Sequence, residues 1–356
     1  MIESGVLNGP SFEGLCKEVG GRLAIITDAN VAKLYGSALY EQLQRWGVEA
    51  EVFSFPAGEA HKTRQIKAIL EDQLLDKGYG RDTCILALGG GVTTDLGGYL
   101  AATYCRGVPL ILMPTSLLAM VDASLGGKTG VNTPFGKNLI GAFYHPQAVL
   151  IDPTFLHTLP SKEIKNGLVE MIKHGLIADI NYVNFLKEQA PALLRLDKEI
   201  MQNAIFMSCQ IKQQIIQVDE KEQGKRHLLN FGHTMGHALE TKTHYQLSHG
   251  EAVALGIIAE SRLAVIKGQL SLCAFEEILA LLKLYEIKPA FPAYLTSQEI
   301  WKEMYLDKKS IRNQPRFVLL QGIGKSYTQG QHYCFPVSEA EVLETLNWMN
   351  HNLYCY

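Results

Sequence analysis

The segment Thr83–Asp95, TCILALGGGVTTD, constrains the fold more than any other stretch. A compact apolar run, Thr83 to Leu88, stops on Gly89-Gly90-Gly91 and gives way to a helical pattern. A short run that is apolar at nearly every position reads as a strand buried on both faces, and glycines behind it mark a tight turn into a helix. The same punctuation recurs along the first part of the chain. Leu23–Thr27 ends at Asp28, Val48–Phe55 alternates as a strand does, and Ile66–Lys77 has helical spacing. Leu110–Met113 and Ala148–Ile151 are further apolar runs. Buried strands alternating with helices predict a parallel α/β sheet.

From about Thr154 the pattern changes. Ile164–Asp179, Glu199–Val218 and Glu251–Lys267 have helical spacing with few strand signals between them. A chain of 356 residues exceeds what one hydrophobic core usually organises. Two domains are therefore expected: an α/β domain over residues 1–153 and a mostly α-helical domain over 154–356. The break is set near Asp152-Pro153, because the residue before a proline is pushed out of helical geometry. A modest strand pair is expected at Arg316–Leu320 and Tyr333–Phe335.

Composition excludes several classes. Hydrophobic residues at 47% and charged residues at 19% are an ordinary globular balance, not that of a disordered chain. A net charge of −3 gives no global basic field, so no nucleic-acid partner is expected. The most apolar stretch, Val108–Val121, is interrupted by Pro109 and Pro114 and is too short to span a bilayer, so no membrane partner is expected. The opening residues, MIESG, lack a basic stretch leading into an apolar core, and no signal peptide is expected. Seven scattered cysteines without a CxxC pair argue against a disulfide framework or a cysteine zinc site. A reducing, cytoplasmic setting follows as the expectation.

The glycine turn has a ligand chemistry of its own. Glycines let the backbone approach a guest closely, and the helix N-terminus behind them offers free amides and a positive dipole end. A pyrophosphate is the natural guest. The pattern is neither GxGxxG nor a P-loop, and a triple glycine also serves a plain strand-to-helix turn. Thr115-Ser116, just behind Pro114, could add hydroxyls to the same guest or simply cap a helix.

Histidines and a carboxylate form a second signal. His233 and His237 in LNFGHTMGH (229–237) are four apart, hence on one face of a helix. His249 follows in LSHGE (247–251), and Glu170 in LVEMIKHG (168–175) has Lys173 one turn on. Two neutral imidazoles and a carboxylate, with one position open, make a catalytic zinc arrangement. The glutamate of an HExxH helix is missing, a core histidine needs no metal, and His227 and His244 show that histidine is locally common. A basic set stands beside these motifs: Lys128, Lys137, Lys173, Lys212, Arg226 and the pair Lys308-Lys309. Lys128 follows Gly126-Gly127 and Lys137 follows Gly136, which suits gripping a phosphate or carboxylate.

Taken together these segments resemble the 3-dehydroquinate synthase family of sugar phosphate cyclases, from about Phe55 to Lys309. Six motifs occur in order: PAGEAHKT (56–63), GGGVTTDLGGYLAATYCRGV (89–108), PTSLLAMVDASLGGKTGVNTPFGKNLIGAFYHP (114–146), VEMIKHG (169–175), KRHLLNFGHTMGHALE (225–240) and LSHGEAVALG (247–256). The resemblance implies a Rossmann-like N-terminal domain holding NAD, a helical C-terminal domain holding a divalent metal, zinc or cobalt, and a homodimer. It implies metal ligands Glu170, His233 and His249, with His237 facing substrate. Glu59 and Lys62 would hold the adenosine side of NAD. Gly91, Val92, Thr93, Thr94 and Asp95 would line the pyrophosphate and nicotinamide ribose, helped by Thr115, Ser116, Lys128 and Lys137. Asp122, Lys128, Asn138, Lys173, Lys212, Arg226, Asn230 and one of Lys308 or Lys309 match the substrate pocket, and Arg106 the arginine presented to a neighbouring subunit.

The substrate implied is the phosphorylated sugar acid 3-deoxy-D-arabino-heptulosonate 7-phosphate, bound between the domains and converted to 3-dehydroquinate and phosphate on the shikimate route to aromatic amino acids. The implied chemistry is an oxidation, a phosphate elimination, a re-reduction, a ring opening and an internal aldol step, with NAD catalytic and not consumed. Lysines and arginine would then act mainly by holding phosphate and carboxylate. Two departures stand out. Only about twenty residues precede Leu23, so the family's opening strand pair is expected to be shortened or absent, and His174 stands where many relatives have tyrosine, a position expected to be tolerant. Two rival readings share the plan: another cyclase, such as a 2-deoxy-scyllo-inosose or valiolone-type synthase, and a metal-dependent alcohol or glycerol dehydrogenase. SLGGKTGVN (124–132) favours the dehydroquinate synthases over the first, and a basic pocket ill suits the uncharged alcohol of the second. A non-catalytic relative is opposed by the intact triad.

Overall fold

The computed structural model describes residues 1–19, 21–306 and 314–353. The chain divides into two compact units, Met1–Pro160 and Ser161–Tyr356. The expected division at 153/154 falls inside a 3-10 turn, Pro153–Thr158. That turn belongs to the first unit: Phe155 and Leu156 are buried, and the Phe155 ring lies 4.7 Å from that of Tyr35. The Asp152 carboxylate accepts from the amides of Gly5, Val6 and Thr154 at 2.8–2.9 Å. Proline at 153 starts a turn, and packing carries the unit seven residues past it.

The first unit is built on a five-stranded sheet in the order β2-β1-β3-β4-β7. Its strands are β1 (Arg22–Asp28), β2 (Ala50–Phe55), β3 (Thr83–Gly89), β4 (Leu110–Pro114) and β7 (Ala148–Val149). Every pairing in it is parallel. The strands are where the apolar runs placed them, and β3 and β4 are buried at every position, as strands covered on both faces are. The last strand is shorter than expected, with Ile151 making only an isolated bridge to Ile2. Residues before β1 give that bridge and the helix α1 (Pro10–Glu18) in place of a strand pair. Helix α2 (Ser37–Arg45) leads to β2 and α3 (Arg64–Asp76) to β3. Helix α4 (Gly91–Thr103) then lies directly on β3. Gly97 permits this approach: a Cβ there would stand 2.8 Å from that of Ala87.

The chain leaves β1 toward β2, then returns across β1 to β3. In an open parallel sheet the point where the winding reverses leaves a crevice at the carboxyl ends of the two central strands. Here those ends are Asp28 and Gly89, which puts the glycine turn in the crevice. After β4 the chain forms an antiparallel hairpin, β5 (Lys128–Thr133) and β6 (Gly136–Phe143), whose register shifts between Val131 and Thr133.

The second unit is mostly helical. Its helices are α5 (Ser161–Ala178), α6 (Ile180–Leu194), α7 (Lys198–Val218), α8 (His233–Lys242), α9 (His249–Ile266), α10 (Leu272–Leu284), α11 (Ser297–Leu306) and α12 (Glu339–Asn352). Helix α9 is the core: Ala252 to Ser261 are buried without a break, the mark of a helix enclosed on all sides. It packs against α8, α5, α10 and α12. The expected strand pair is present as β8 (Arg316–Phe317) with β11 (Phe335–Pro336), and β9 (Leu320–Gly322) pairs with β10 (Lys325–Ser326). Among the described residues no helix is long and apolar enough to cross a membrane.

Candidate metal centre and nucleotide turn

Three helices of the second unit converge on one point. Glu170 lies in the middle of α5, His233 is the first residue of α8, and His249 is the first residue of α9. One ligand atom from each lies within 4.8 Å of the others. Glu170 Oε1 is 3.7 Å from Nε2 of His233 and 3.7 Å from Nε2 of His249. Those separations exceed a hydrogen bond, and Oε1 is buried without a hydrogen-bond partner. The edge of a tetrahedral site with bonds of about 2.0–2.1 Å is about 3.4 Å, so a divalent cation fits among the three.

The local sequence explains how each candidate ligand is aimed. His233 Nδ1 lies 3.1 Å from the Phe231 carbonyl, which turns Nε2 toward Glu170. His249 Nδ1 faces Glu240 Oε2 at 3.5 Å, a carboxylate behind a candidate ligand imidazole. The start of α9 is fixed by a capping box, with Ser248 and Glu251 bonding each other's backbone. Asn166 Oδ1 accepts from the Gly250 amide at 3.1 Å. Lys173, one turn along α5, ion-pairs with Glu170 Oε2 and donates to the Leu229 carbonyl at 2.8 Å.

The electrostatics follow from burial. Burial alone would raise the Glu170 carboxyl, but the Lys173 ammonium and the two imidazoles outweigh it and hold it well below the usual carboxylate range. Burial, reinforced by Lys173, pushes His233 well below its ordinary value, so its imidazole is neutral. His249 goes the other way: burial lowers it, but the Glu170 and Glu240 carboxylates lift it to about 10. The donor set of two imidazoles and one carboxylate suits zinc or cobalt.

The same unit carries other residues singled out by the sequence. The His237 ring packs edge-on to His233 at 5.4 Å between centroids. Arg226 is buried, its amide donating to Asp219 Oδ2 at 3.0 Å and its guanidinium to the Glu220 carbonyl. Asn230 Nδ2 donates to Glu222 Oε1 at 2.8 Å. Lys212 is buried on α7. Lys308 and Lys309 lie outside the described residues. His174, where the family often has tyrosine, is buried with its Nδ1 2.8 Å from Ser208 Oγ.

In the first unit, Gly90 is the N-cap of α4 and has no side-chain cap, so the first amides of the helix are left for a guest. The Thr115 amide donates to the Gly89 carbonyl at 2.9 Å, and Ser116 lies behind Gly90. Thr93 Oγ1 reaches Asp28 Oδ2 at 3.4 Å, while Thr94 Oγ1 turns back to Gly91. Val92 packs on the sheet core and Gly91 opens the helix. Lys62 is buried, ion-paired to Asp95 and donating to Asn138 Oδ1 at 2.7 Å. Burial raises the Asp95 carboxyl above its ordinary range despite that partner. Glu59 is exposed beside this network, Asp122 sits in the turn Ala119–Ala123, and Lys128 and Lys137 lie on the hairpin. Arg106 is exposed on a turn where Cys105, Arg106 and Gly107 all have positive φ (49°, 71° and 112°).

Two residues escaped sequence reasoning. Glu240 follows His233 by seven positions, two turns along one face of α8, and that spacing was a usable signal. Asp28 ends β1, and only the strand order shows that it borders the crevice.

Comparison with known proteins places the chain. A family model described as 3-dehydroquinate synthase N-terminal matches residues 52–166, and one described as 3-dehydroquinate synthase C-terminal matches residues 167–310. A 3-dehydroquinate synthase from Desulforamulus reducens is 43% identical over 330 residues, covering 92% of this chain and 90% of that protein. Among solved structures, ValA, a 2-epi-5-epi-valiolone synthase from Streptomyces hygroscopicus with NAD+ and Zn2+ bound, matches with a TM-score of 0.90 at 28% identity, over 99% of this chain and 96% of that one. A 2-deoxy-scyllo-inosose synthase complexed with carbaglucose-6-phosphate, NAD+ and Co2+ matches with a TM-score of 0.89 at 26% identity, over 97% and 95%. Two domain matches in series and a relative this similar over nine-tenths of the sequence leave one conclusion: the chain belongs to the 3-dehydroquinate synthase family.

Proposed function

We propose that this chain is a 3-dehydroquinate synthase, a lyase that converts 3-deoxy-D-arabino-heptulosonate 7-phosphate to 3-dehydroquinate and phosphate with a catalytic NAD and a divalent zinc or cobalt ion. The carrying observation is the buried Glu170–His233–His249 cluster, in a chain 43% identical to a protein of that name over 92% of its length. Bound NAD would supply reversible hydride removal, and the bound cation would acidify the hydroxyl it holds.

The residues of the chain do the rest. Glu170, His233 and His249 hold the cation, and Lys173, locked between Glu170 and Leu229, keeps the carboxylate aimed. Lys128, Lys212, Arg226 and one of Lys308 or Lys309 grip the phosphate and carboxylate of the substrate, so rate comes from orientation and electrostatics. Asp122 and Asn138 line the substrate pocket, while Asn230 and His237 orient the substrate's hydroxyls and His237 hands protons on. Gly91 to Asp95 cradle the NAD pyrophosphate and nicotinamide ribose with Thr115, Ser116, Lys128 and Lys137, while Glu59 and Lys62 take the adenosine side. Arg106 reaches a second copy of the chain, so the working form is a homodimer. The six cysteines among the described residues are free, which suits a reducing, cytoplasmic compartment.

The purified protein should release phosphate from the heptulosonate 7-phosphate with NAD unconsumed, lose this activity to a chelator and regain it with zinc or cobalt. Absence of phosphate release from the loaded protein sinks the proposal. Release from a hexose 6-phosphate instead would favour an inosose-type cyclase, and NADH accumulating on a simple alcohol would favour a dehydrogenase.

A further inference from the structure

The loop that carries Glu59 and Lys62 and the hairpin that carries Lys128, Lys137 and Asn138 are distant in sequence but meet at Asn132. Its amide donates to the Lys62 carbonyl at 2.7 Å, and it bridges Thr63 in parallel. Its side-chain Nδ2 donates to Glu59 Oε1 at 2.7 Å. Its Oδ1 accepts from the Asn138 amide at 3.0 Å. The ring is closed by Lys62, whose Nζ reaches Asn138 Oδ1 at 2.7 Å and pairs with Asp95.

Two features show that the hairpin is built around this contact. The β5–β6 register shifts between Val131 and Thr133, so Asn132 sits at an irregularity that frees its amide from the ladder and sends it to Lys62. Asn138 has a left-handed φ of 52°, a conformation held here from both sides, by Asn132 at its amide and Lys62 at its side chain. A side-chain amide suits the post because it donates on one side and accepts on the other. A carboxylate would place two acceptors against the Glu59 carboxylate.

We infer that Asn132 is a positioning residue that ties the nucleotide loop 59–63 to Asn138, so that the grip on NAD and the grip on the phosphorylated substrate share one hydrogen-bonded ring. The inference rests on the function proposed above. It predicts that Asn132→Asp weakens both ligands through Glu59 and leaves the metal centre alone.

The test is a double-mutant cycle of Asn132→Asp and Glu59→Gln on the full chain, reading the NAD Kd by titration, KM and kcat for the heptulosonate 7-phosphate, and bound metal. In the parent background Asn132→Asp should raise both the NAD Kd and KM by about tenfold, a little over 1 kcal/mol, with unchanged metal content. In the Glu59→Gln background, where an amide can again donate across the gap, the same change should cost less than about threefold. Equal penalties in the two backgrounds, or values within about twofold of the parent, overturn the inference. If Asn132→Asp alone does not fold, recovery of a folded, NAD-binding protein by adding Glu59→Gln supports it, and no recovery overturns it. A parent protein that neither binds NAD nor releases phosphate would instead fault the proposed function.

Discussion

Gly256 of α9 faces the backbone of Gly232 so closely that a Cβ at position 256 would stand 1.8 Å from the Gly232 carbonyl oxygen. Gly232, itself at a φ of 79°, is the residue before His233, and Gly256 lies two turns along the helix that His249 begins. The absence of one methyl group therefore lets the two imidazoles meet. Gly256→Ala must push α8 from α9. The expected result is a loss of about 1–3 kcal/mol of stability or more, together with weakened metal binding, read by thermal unfolding and by bound metal after dialysis. A variant with parental metal content would show that the imidazoles do not depend on this approach.

Glu170→Gln should leave the protein with little bound zinc or cobalt. It also strands the buried Lys173 ammonium, and breaking a buried pair costs about 3–5 kcal/mol. The two effects separate in the double variant Glu170→Gln/Lys173→Met, which should recover much of the stability and none of the metal. Retention of metal by either variant would remove Glu170 from the ligand set.

Glu240 stands behind His249 without touching the proposed cation position. Outer carboxylates of this kind typically contribute about 10–100-fold in metal affinity or activity. Glu240→Gln should weaken metal binding within that range and leave NAD binding unchanged, by competition with a chromogenic chelator. Equal affinities in the two proteins would reduce Glu240 to a packing residue.

Asp219 accepts from the amides of Gln223, Gly224 and Arg226 at 2.7–3.0 Å and so shapes the loop that delivers Arg226. Burial would raise its carboxyl, but those three donors outweigh it and hold the pKa below the ordinary 3.8. A depressed carboxylate contributes stability that is present above the unfolded value and lost as pH falls through the folded one. Asp219→Asn should therefore be less stable than the parent near neutrality, by about 1 kcal/mol, with the gap closing below pH 3.8. Its KM for the phosphorylated substrate should rise more than its kcat falls. Parallel stability curves down to that acid range would show that the loop does not rely on the charge.

Much of this architecture is written in local pattern. The runs at Leu23–Thr27, Thr83–Leu88 and Leu110–Met113 read as buried strands, and their alternation with helices signals a parallel sheet. The four-residue spacing of His233 and His237 by itself places both on one face of α8. These features depend on neighbours within a few positions, where backbone geometry alone decides which side chains share a face.

Tertiary structure decided what lies between distant segments. Whether Glu170, His233 and His249 meet depends on three helix axes and on the contact of Gly256 with Gly232, and no local period encodes an interhelical distance. The post held by Asn132 depends on a slipped hairpin register, and the placement of Asp28 on strand order. The unit boundary moved past Pro153 because buried aromatic packing outweighed the backbone preference of one dipeptide. Sequence settles which groups are available at each turn, and the long-range packing of those turns settles which groups face one another.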